Sequence, residues 1–583
     1  MRKPPLHPVD PIGDLRDLLI KSCNSYSDRI ALKSKREGVY HSLTYAQLWR
    51  QVIEMATAYA RLDLRPGDQV AVLSENRTEW VVAYLAAATT GLIVVPIDKD
   101  LTPREIVHIL KFSKAKTLIG SQEYVNRLKS YRGELEALEQ WILMEDQTEG
   151  VDQSFRQALQ MGREARKKGD RSFEHAVVAA DDLAAIIFTS GTTGQPKGVM
   201  LTHGNIASNV TAISQCVSIR GAVALSVLPL HHTFECTAGL LVALHQGCTI
   251  CHAESLRRIA DNLRETKATV MLGVPLLFES FYRRLENTIQ EKGGRRFKLA
   301  KLIAHVLERV FRLNLRRRIF KQIHENLGGH LELLISGGAA INPAVSRGFR
   351  ELGIHCIQGY GLTETSPIIA VNRVNCFKDG AVGLPLPGLE VKIIDGEIVV
   401  RGPSVMKGYY QNKDATKETV KDGWLHTGDL GHFDDDGFLY ISGRVKSVIV
   451  TPNGKNVYPE EIEGLLNQSP YILESLVWGG SENDPSRVEV QAIIVADRET
   501  FEKEFGPGQY DDGKIHGIIG EEIKKCCRDI ATYKRVRQFV MREQEFEKTT
   551  TRKVKRYLYT GNPHQVRMAG DTDSHGAPPV GLP

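Results

Sequence analysis

Short apolar runs recur through residues 1–440 and read as strands: Gln69–Ser74, Ala184–Thr189, Val223–Leu230, Thr269–Val274 and Leu331–Ser336. Between most of them apolar residues return at helical spacing. Strands that alternate with helices predict an α/β architecture. The most apolar stretch, VVAYLAAATTGLIVVPI at 81–97, is broken by Thr-Thr-Gly and by Pro96. It falls short of the ~20 residues that a spanning helix needs, so it predicts a buried helix followed by a strand.

The texture changes near residue 391. VKIIDGEIVVRG predicts a hairpin turning at Asp395-Gly396, and GHFDDDGFLYISGR predicts a second. The aspartates of that second turn lack the alternating spacing of a calcium loop and read as a polar turn. Beyond GRVKSVIV the pattern is that of a smaller α+β unit, with YPEEIEGLLNQ helical and VEVQAIIVA a strand. A boundary near Lys446 divides the chain into a large domain, 1–445, and a small one, 446–560. The remainder, 561–583, is rich in Gly and Pro, poor in apolar periodicity, and reads as a disordered tail.

Composition narrows the classes. The chain has 583 residues, 42% hydrophobic and 25% charged, which suits a globular protein with a large core. A net charge of +5, from 75 basic and 70 acidic residues, is too near balance to indicate nucleic acid. The first residues, MRKPPLHPVDPIG, contain no apolar signal core, so a cytoplasmic protein is expected, peripheral at most to the inner membrane face. Nine cysteines fit reduced thiols. Cys248 and Cys251 form a CxxC, but in the strand-like GCTIC such residues point to opposite faces, which favours core packing over a metal site.

Chemistry concentrates in five stretches. FTSGTTGQPKGVMLTH, at 188–203, follows an apolar strand with Thr189, Ser190, Thr192 and Thr193, the glycines Gly191 and Gly194, and Lys197. Bare backbone N–H groups, hydroxyl donors and one cation suit the phosphates of a nucleotide. The P-loop spacing fails, since Pro196 stands where its second glycine belongs and Gly198 follows Lys197. LELLISGGAAINPAV ends a strand in Ser-Gly-Gly, where something flat can approach the backbone, and offers Asn342 and Pro343 as N-cap and first residue of a helix. GIHCIQGYGLTETSP delivers Tyr360, Gly361, Thr363 and Glu364: an aromatic for a base, a hydroxyl for a phosphate, a carboxylate for Mg²⁺. Three strand endings of this kind point to one site along the carboxyl ends of a sheet. In GWLHTGDLG, Asp429 suits vicinal ribose hydroxyls; in ISGRVKSVIV, Arg444 suits the same ribose or a phosphate.

Taken together and in this order, FTSGTTGQPKGVMLTH, GYGLTETSP, HTGDLG and GRVK resemble the adenylate-forming superfamily, specifically the AMP-forming acyl-CoA synthetases. The resemblance covers roughly residues 10–560. It implies a large multi-subdomain N-terminal adenylation domain, a hinge, and a small mobile C-terminal domain that rotates between two half-reactions. A carboxylate attacks the α-phosphate of Mg·ATP to give acyl-AMP and pyrophosphate; a thiol, usually that of coenzyme A, then displaces AMP. By motif, Thr189–Gly194 and Lys197 hold the β- and γ-phosphates, Gly338, Ala339 and Tyr360 sandwich adenine, Thr363 meets the α-phosphate and Glu364 binds Mg²⁺. Asp429 and Arg444 take the ribose, Lys446 is the hinge residue, and Gly454 in TPNGKNVYPEEIE faces the thiol. Lys553, in FEKTTTRKVKRYL, matches the catalytic lysine, although Arg552 replaces the usual preceding glycine and Lys548 and Lys555 are rivals. His232, next to His231 in LPLHHTFE, matches a position lining the carboxylate and acyl pocket.

The acid is suggested by GGRRFKLAKLIAHVLERVFRLNLRRRIFKQIHENLGG. Between Arg295 and Lys321 it carries ten Lys or Arg and one acid, Glu308, with apolar residues at helical spacing. A basic amphipathic helix suits an anionic membrane surface, or packs on its own domain with a solvated basic face. It resembles the helical insertion of long-chain fatty acyl-CoA synthetases. The expected activity is therefore long-chain fatty acid:CoA ligation. Transfer to the phosphopantetheine of an acyl carrier protein stays open, as does an inactive adenylate-fold scaffold, against which the intact Lys197, Glu364, Asp429, Arg444 and Lys553 speak.

Overall fold

The apolar runs become the inner strands of two sheets, and the helices between them cover both faces. The computed structural model describes residues 5–146, 150–189, 196–311, 315–451, 455–480, 488–506, 508–548 and 554–559. The chain forms two units: Met1–Val391 with Val400–Leu425 and Asp435–Phe438, and Lys392–Val399 with His426–Asp434 and Leu439–Pro583.

In the first unit an eight-stranded sheet runs Gly408–Tyr409, Lys197–Thr202, Leu183–Thr189, Ile93–Pro96, Gln69–Leu73, Thr117–Gly120, Gln140–Leu143, Gln153–Ser154. From Leu183–Thr189 onward it is parallel, while Lys197–Thr202 and Gly408–Tyr409 close its edge antiparallel. A nine-stranded sheet runs Leu384–Pro385, Ile368–Val371, His355–Gly361, Leu333–Ser336, Val270–Gly273, Val223–Ser226, Thr249–His252, Ile30–Arg36, Val39–Thr44. Its stretch from His355–Gly361 to Ile30–Arg36 is parallel. Parallel strands need crossover helices on both faces, which is why Ile93–Pro96 and Val270–Gly273 are buried at every position. The helix Thr78–Ala88 is buried from Trp80 to its end, as a helix apolar on every side must be.

The strand expected over Val223–Leu230 stops at Ser226. There the Asn76 amide takes over from the ladder: its nitrogen donates to Ser226 Oγ (3.0 Å) and the Leu228 carbonyl (2.7 Å), and its oxygen accepts from Leu230 N (2.9 Å). One side chain thereby ties the loop after Gln69–Leu73 to the end of a strand in the other sheet. All nine cysteines are free thiols. Cys248 packs in the core with Tyr45 and Leu244, Cys251 in a different cluster with Leu263 and Phe278, so the CxxC does face two ways.

The second unit holds a three-stranded sheet, Ile472–Gly480, Glu489–Ala496 and Gln538–Arg542. The helices Pro459–Leu466, Arg498–Phe505 and Asp512–Cys526 supply Ile462, Phe501 and Ile519 to its core. Asp395 and Gly396 both take positive φ, 50° and 82°, as the expected tight turn requires.

The basic segment begins inside a helix of 37 residues, Pro275–Phe311. On one side Ala304 is 2% exposed against Phe320 and Leu352, and Lys301 pairs with Glu351 at 2.8 Å. Elsewhere on the same helix Leu299, Leu302, Ile303, Val306 and Val310 are 43–65% exposed. Further on, Arg316 donates to the Arg350 carbonyl (2.9 Å), and Arg317 to those of Leu331 (3.1 Å) and Gly329 (3.0 Å). No described helix is long and apolar enough to cross a membrane.

Candidate active site

Lys197 owes its position to a strand pair. It opens Lys197–Thr202 directly opposite Thr189, the last residue of Leu183–Thr189, and Thr189 Oγ1 lies 3.4 Å from its carbonyl. Ser190, Gly191, Thr192, Thr193 and Gly194, which stand between them in the sequence, lie outside the described residues. The Lys197 ammonium sits over the Tyr409 ring, 4.9 Å from its centroid. The Tyr409 hydroxyl donates to Glu364 Oε1 at 2.8 Å. A cation and a carboxylate from distant stretches thus meet through one phenol. Tyr409 was not legible as a site residue; its only signal was an aromatic pair after a glycine, in KGYY.

Glu364 lies in a short 3-10 turn, Thr363–Thr365, just after the strand His355–Gly361. Its carbonyl accepts from Met406 N at 2.8 Å. Asn209, 1% exposed on the helix His203–Cys216, clamps the same turn: its nitrogen donates to the Thr365 (3.3 Å) and Ile368 (2.8 Å) carbonyls, and its oxygen accepts from Ile368 N (3.2 Å). Gly361 has no alternative, because a Cβ there would lie 1.8 Å from the Pro367 carbonyl oxygen.

Gly338 and Ala339 follow Leu333–Ser336, and Tyr360 lies in the neighbouring parallel strand. Gly338 has φ +86° and Ala339 is exposed, so the backbone is open at this sheet end. Gly337 is held under the Phe234 ring, where a Cβ would come within 2.7 Å of a ring carbon. Asn342 caps the next helix as expected, accepting from Ala344 N at 2.8 Å.

One expectation needs correction. The three strand endings do not share a sheet: Leu183–Thr189 ends in the eight-stranded sheet, Leu333–Ser336 and His355–Gly361 in the nine-stranded one. The chain turns back antiparallel after Thr189, so no further parallel strand follows in that sheet, and residues 406–410 and Asn209 bring the two sheets' ends together.

His231 and His232 separate by environment. His231 is 8% exposed, its Nε2 3.6 Å from Asp98 Oδ2, and burial pushes its pKa down to about 4. It is a neutral core histidine. His232 is half-buried and its carbonyl accepts from Cys236 N at the start of a π-helix, Phe234–Leu241. π-Helical turns recur at functional sites. Within this one, Glu235 is 2% exposed, and burial pushes its carboxyl up to about 8.

In the second unit Asp429 and Arg444 are register partners on paired strands, and Arg444 Nε lies 2.8 Å from Asp429 Oδ1. Lys446 is exposed in the next short turn, Val445–Ser447. Gly454 and Lys553 lie outside the described residues. The rivals of Lys553 are described. The Lys548 side chain is 8% exposed and ion-paired with Glu474 and Glu545, a buried structural cation. Lys555 lies 3.8 Å from Glu547. Lys548 and Val554 form a β-bridge. Among the described residues no group of three or more His, Cys, Asp or Glu gathers to hold a metal.

Residues 19–410 match the model of the family described as AMP-binding enzyme. The chain is 30% identical over 553 residues to the long-chain-fatty-acid–CoA ligase FadD15 of Mycobacterium bovis, covering 89% of this chain and 90% of that protein. It is 28% identical to the long-chain-fatty-acid–[acyl-carrier-protein] ligase AEE15 of Arabidopsis thaliana, covering 87% and 79%. The anthranilate CoA ligase AuaEII, solved with anthranoyl-AMP, superposes with a TM-score of 0.76 at 22% identity, covering 97% of this chain and 98% of that one.

Proposed function

The chain belongs to the AMP-binding enzyme family, and on that premise we propose that it is an ATP-dependent long-chain fatty acid:CoA ligase. The observation that carries the reading is the near-complete match, in both chains, to a mycobacterial ligase of that activity. In the first half-reaction the fatty carboxylate attacks the α-phosphorus of ATP, forming acyl-AMP and releasing pyrophosphate. In the second, the thiol of CoA attacks the acyl carbonyl, the thioester forms, and AMP and the thiol proton leave.

The residue roles are proposals of the same reading. Thr189 and Lys197, with Ser190–Gly194, hold the β- and γ-phosphates; Gly338, Ala339, Tyr360 and Gly361 frame the base; Thr363 meets the α-phosphate. Asp429 and Arg444 serve the ribose, Lys446 is the hinge, Lys553 offsets charge during adenylation, Gly454 approaches the thiol, and His232 faces the reacting carboxylate. The donor set at Glu364 fits Mg²⁺: one carboxylate whose Oε1 is tied to Tyr409 and whose other oxygen remains for a cation. Mg²⁺ commonly takes one or two carboxylates and completes its shell with substrate phosphates and water. When bound, it neutralises phosphate charge.

Two finer readings accompany this one. The name of the Arabidopsis relative favours a carrier-protein thiol as a second acceptor, and an assay with CoA as sole acceptor separates the two. A cytoplasmic enzyme touching an anionic membrane through 295–321 is supported by the exposed aliphatic residues of the long helix. The test of the whole reading is a chain-length series in a CoA-dependent AMP-release assay. Acids of roughly C12–C18 should show higher kcat/KM than acetate or benzoate, since each buried CH₂ offers ~0.8 kcal/mol. A flat or falling profile from about C4 to C16 sinks the long-chain assignment.

A further inference from the structure

We propose that Tyr409 is a positioning residue that sets the Mg²⁺-side carboxylate of Glu364 at its hydroxyl and the phosphate-side ammonium of Lys197 over its ring face. The inference rests on the roles proposed above for those two residues and adds the device that holds them.

Tyr409 is placed by backbone, not by chance side-chain contact. It stands in Gly408–Tyr409, opposite Val199 on the free edge of the strand that Lys197 opens. Lys407 N donates to Met200 O (3.0 Å) and Tyr410 N to Gly198 O (2.7 Å), so the segment is laced on both sides of Tyr409. Tyr409 N donates to Thr416 Oγ1 at 2.9 Å. Three residues earlier, Met406 N holds the Glu364 carbonyl at 2.8 Å. One short segment therefore fastens to the strand of Lys197 and to the turn of Glu364.

The side chain then does two separate things. Its hydroxyl donates to Glu364 Oε1 at 2.8 Å, which fixes the carboxylate's rotation and leaves Oε2 for a ligand. Its ring face, 4.9 Å from Lys197 Nζ, attracts the ammonium through the ring quadrupole. The phenol thus gives the ammonium and the carboxylate separate contacts, one at its ring face and one at its hydroxyl. Tyr409 is 7% exposed, and burial with the neighbouring Glu364 charge raises its pKa, so it remains a neutral donor.

The two functions come apart by mutation. Tyr409→Phe keeps the ring under Lys197 and removes the donor to Glu364. In the full-length enzyme it should raise the Mg²⁺ concentration for half-maximal acyl-AMP formation ~10-fold or more, the scale of a lost hydrogen bond to a charged group, with KM for ATP at saturating Mg²⁺ nearly unchanged. Mn²⁺ affinity of the enzyme–ATP complex, read by EPR without turnover, should fall in parallel. Tyr409→Leu should in addition raise KM for ATP, because the platform for Lys197 is gone. In a Glu364→Gln background Tyr409→Phe should add nothing to the Mg²⁺ requirement. Wild-type Mn²⁺ affinity and Mg²⁺ dependence in Tyr409→Phe, or additive effects in the double variant, overturn the proposal even where the variants are less stable. An inactive wild-type enzyme would instead refute the proposed function.

Discussion

Asp429 and Arg444 face each other across two paired strands, Nε to Oδ1 at 2.8 Å, with the carboxylate 6% and the guanidinium 47% exposed. The buried partner has the more to lose. Asp429→Asn should reduce kcat/KM for ATP by ~10-fold or more, the scale of hydrogen bonds to a charged group, and Arg444→Ala by less. Because the two side chains touch, the double variant should fall short of the sum. Strict additivity in steady-state kinetics would mean that the pair does not act on the nucleotide as a unit.

The lysines near the C-terminus should divide by phenotype. Lys548→Ala strips a buried ion pair of one partner and should cost about 3–5 kcal/mol of stability, visible as a lowered Tm of the second unit. Lys553→Ala should leave Tm alone, lower adenylation ~10²–10³-fold, and still convert supplied acyl-AMP and CoA to thioester near normally. Equal loss in both half-reactions would remove Lys553 from the adenylation step.

Membrane contact, if it follows the apolar residues, should depend on the long helix and not on the arginine triplet. Replacing Leu302, Ile303 and Val306, all exposed, with Ser should cut co-sedimentation with anionic vesicles ~10-fold or more, since each aliphatic insertion offers about 1.5–3 kcal/mol. Activity on short soluble acids should persist. Arg316→Glu and Arg317→Glu should instead lower Tm, because those side chains satisfy the carbonyls of Arg350, Leu331 and Gly329. Unchanged vesicle binding in the triple Ser variant argues for a helix that meets no lipid.

The pH dependence of stability carries two opposing signs. Burial lowers His203, His231 and His252 from 6.5 to about 4, so the native state keeps them neutral and loses stability as pH falls from 6.5 towards 4. Burial raises Glu235 from 4.5 to about 8. Between those values the folded chain keeps a proton the unfolded chain has released, so stability falls as pH rises, by on the order of 4 kcal/mol at the upper end. Glu235→Gln should therefore gain Tm over the wild type progressively from pH 5 to about 8. A constant difference across that range would show that Glu235 titrates normally.

The candidate site was drawn largely from local sequence. A hydroxyl-rich loop after a buried strand, a Tyr-Gly-Leu-Thr-Glu turn and an Asp-Arg pair on neighbouring hairpin strands each announce a ligand type, because hydroxyls, glycines and carboxylates act through short-range hydrogen bonds. The parallel strands were equally legible, since burial on both faces demands unbroken apolar runs. Tertiary structure decided what lies next to what. It ended the Val223 strand at Ser226 by bringing in Asn76, split the expected single sheet edge between two sheets, and told His231 from His232 by burial. It committed Lys548, which had read as a rival for the catalytic lysine, to Glu474, and Arg317, which had read as part of a basic helix face, to backbone carbonyls. Above all it placed Tyr409 between Lys197 and Glu364, residues more than a hundred positions apart from one another. Periodicity and propensity describe a chain's near neighbours; a cation, a ring and a carboxylate from three separate segments meet only when strand pairing has fixed the register of all three.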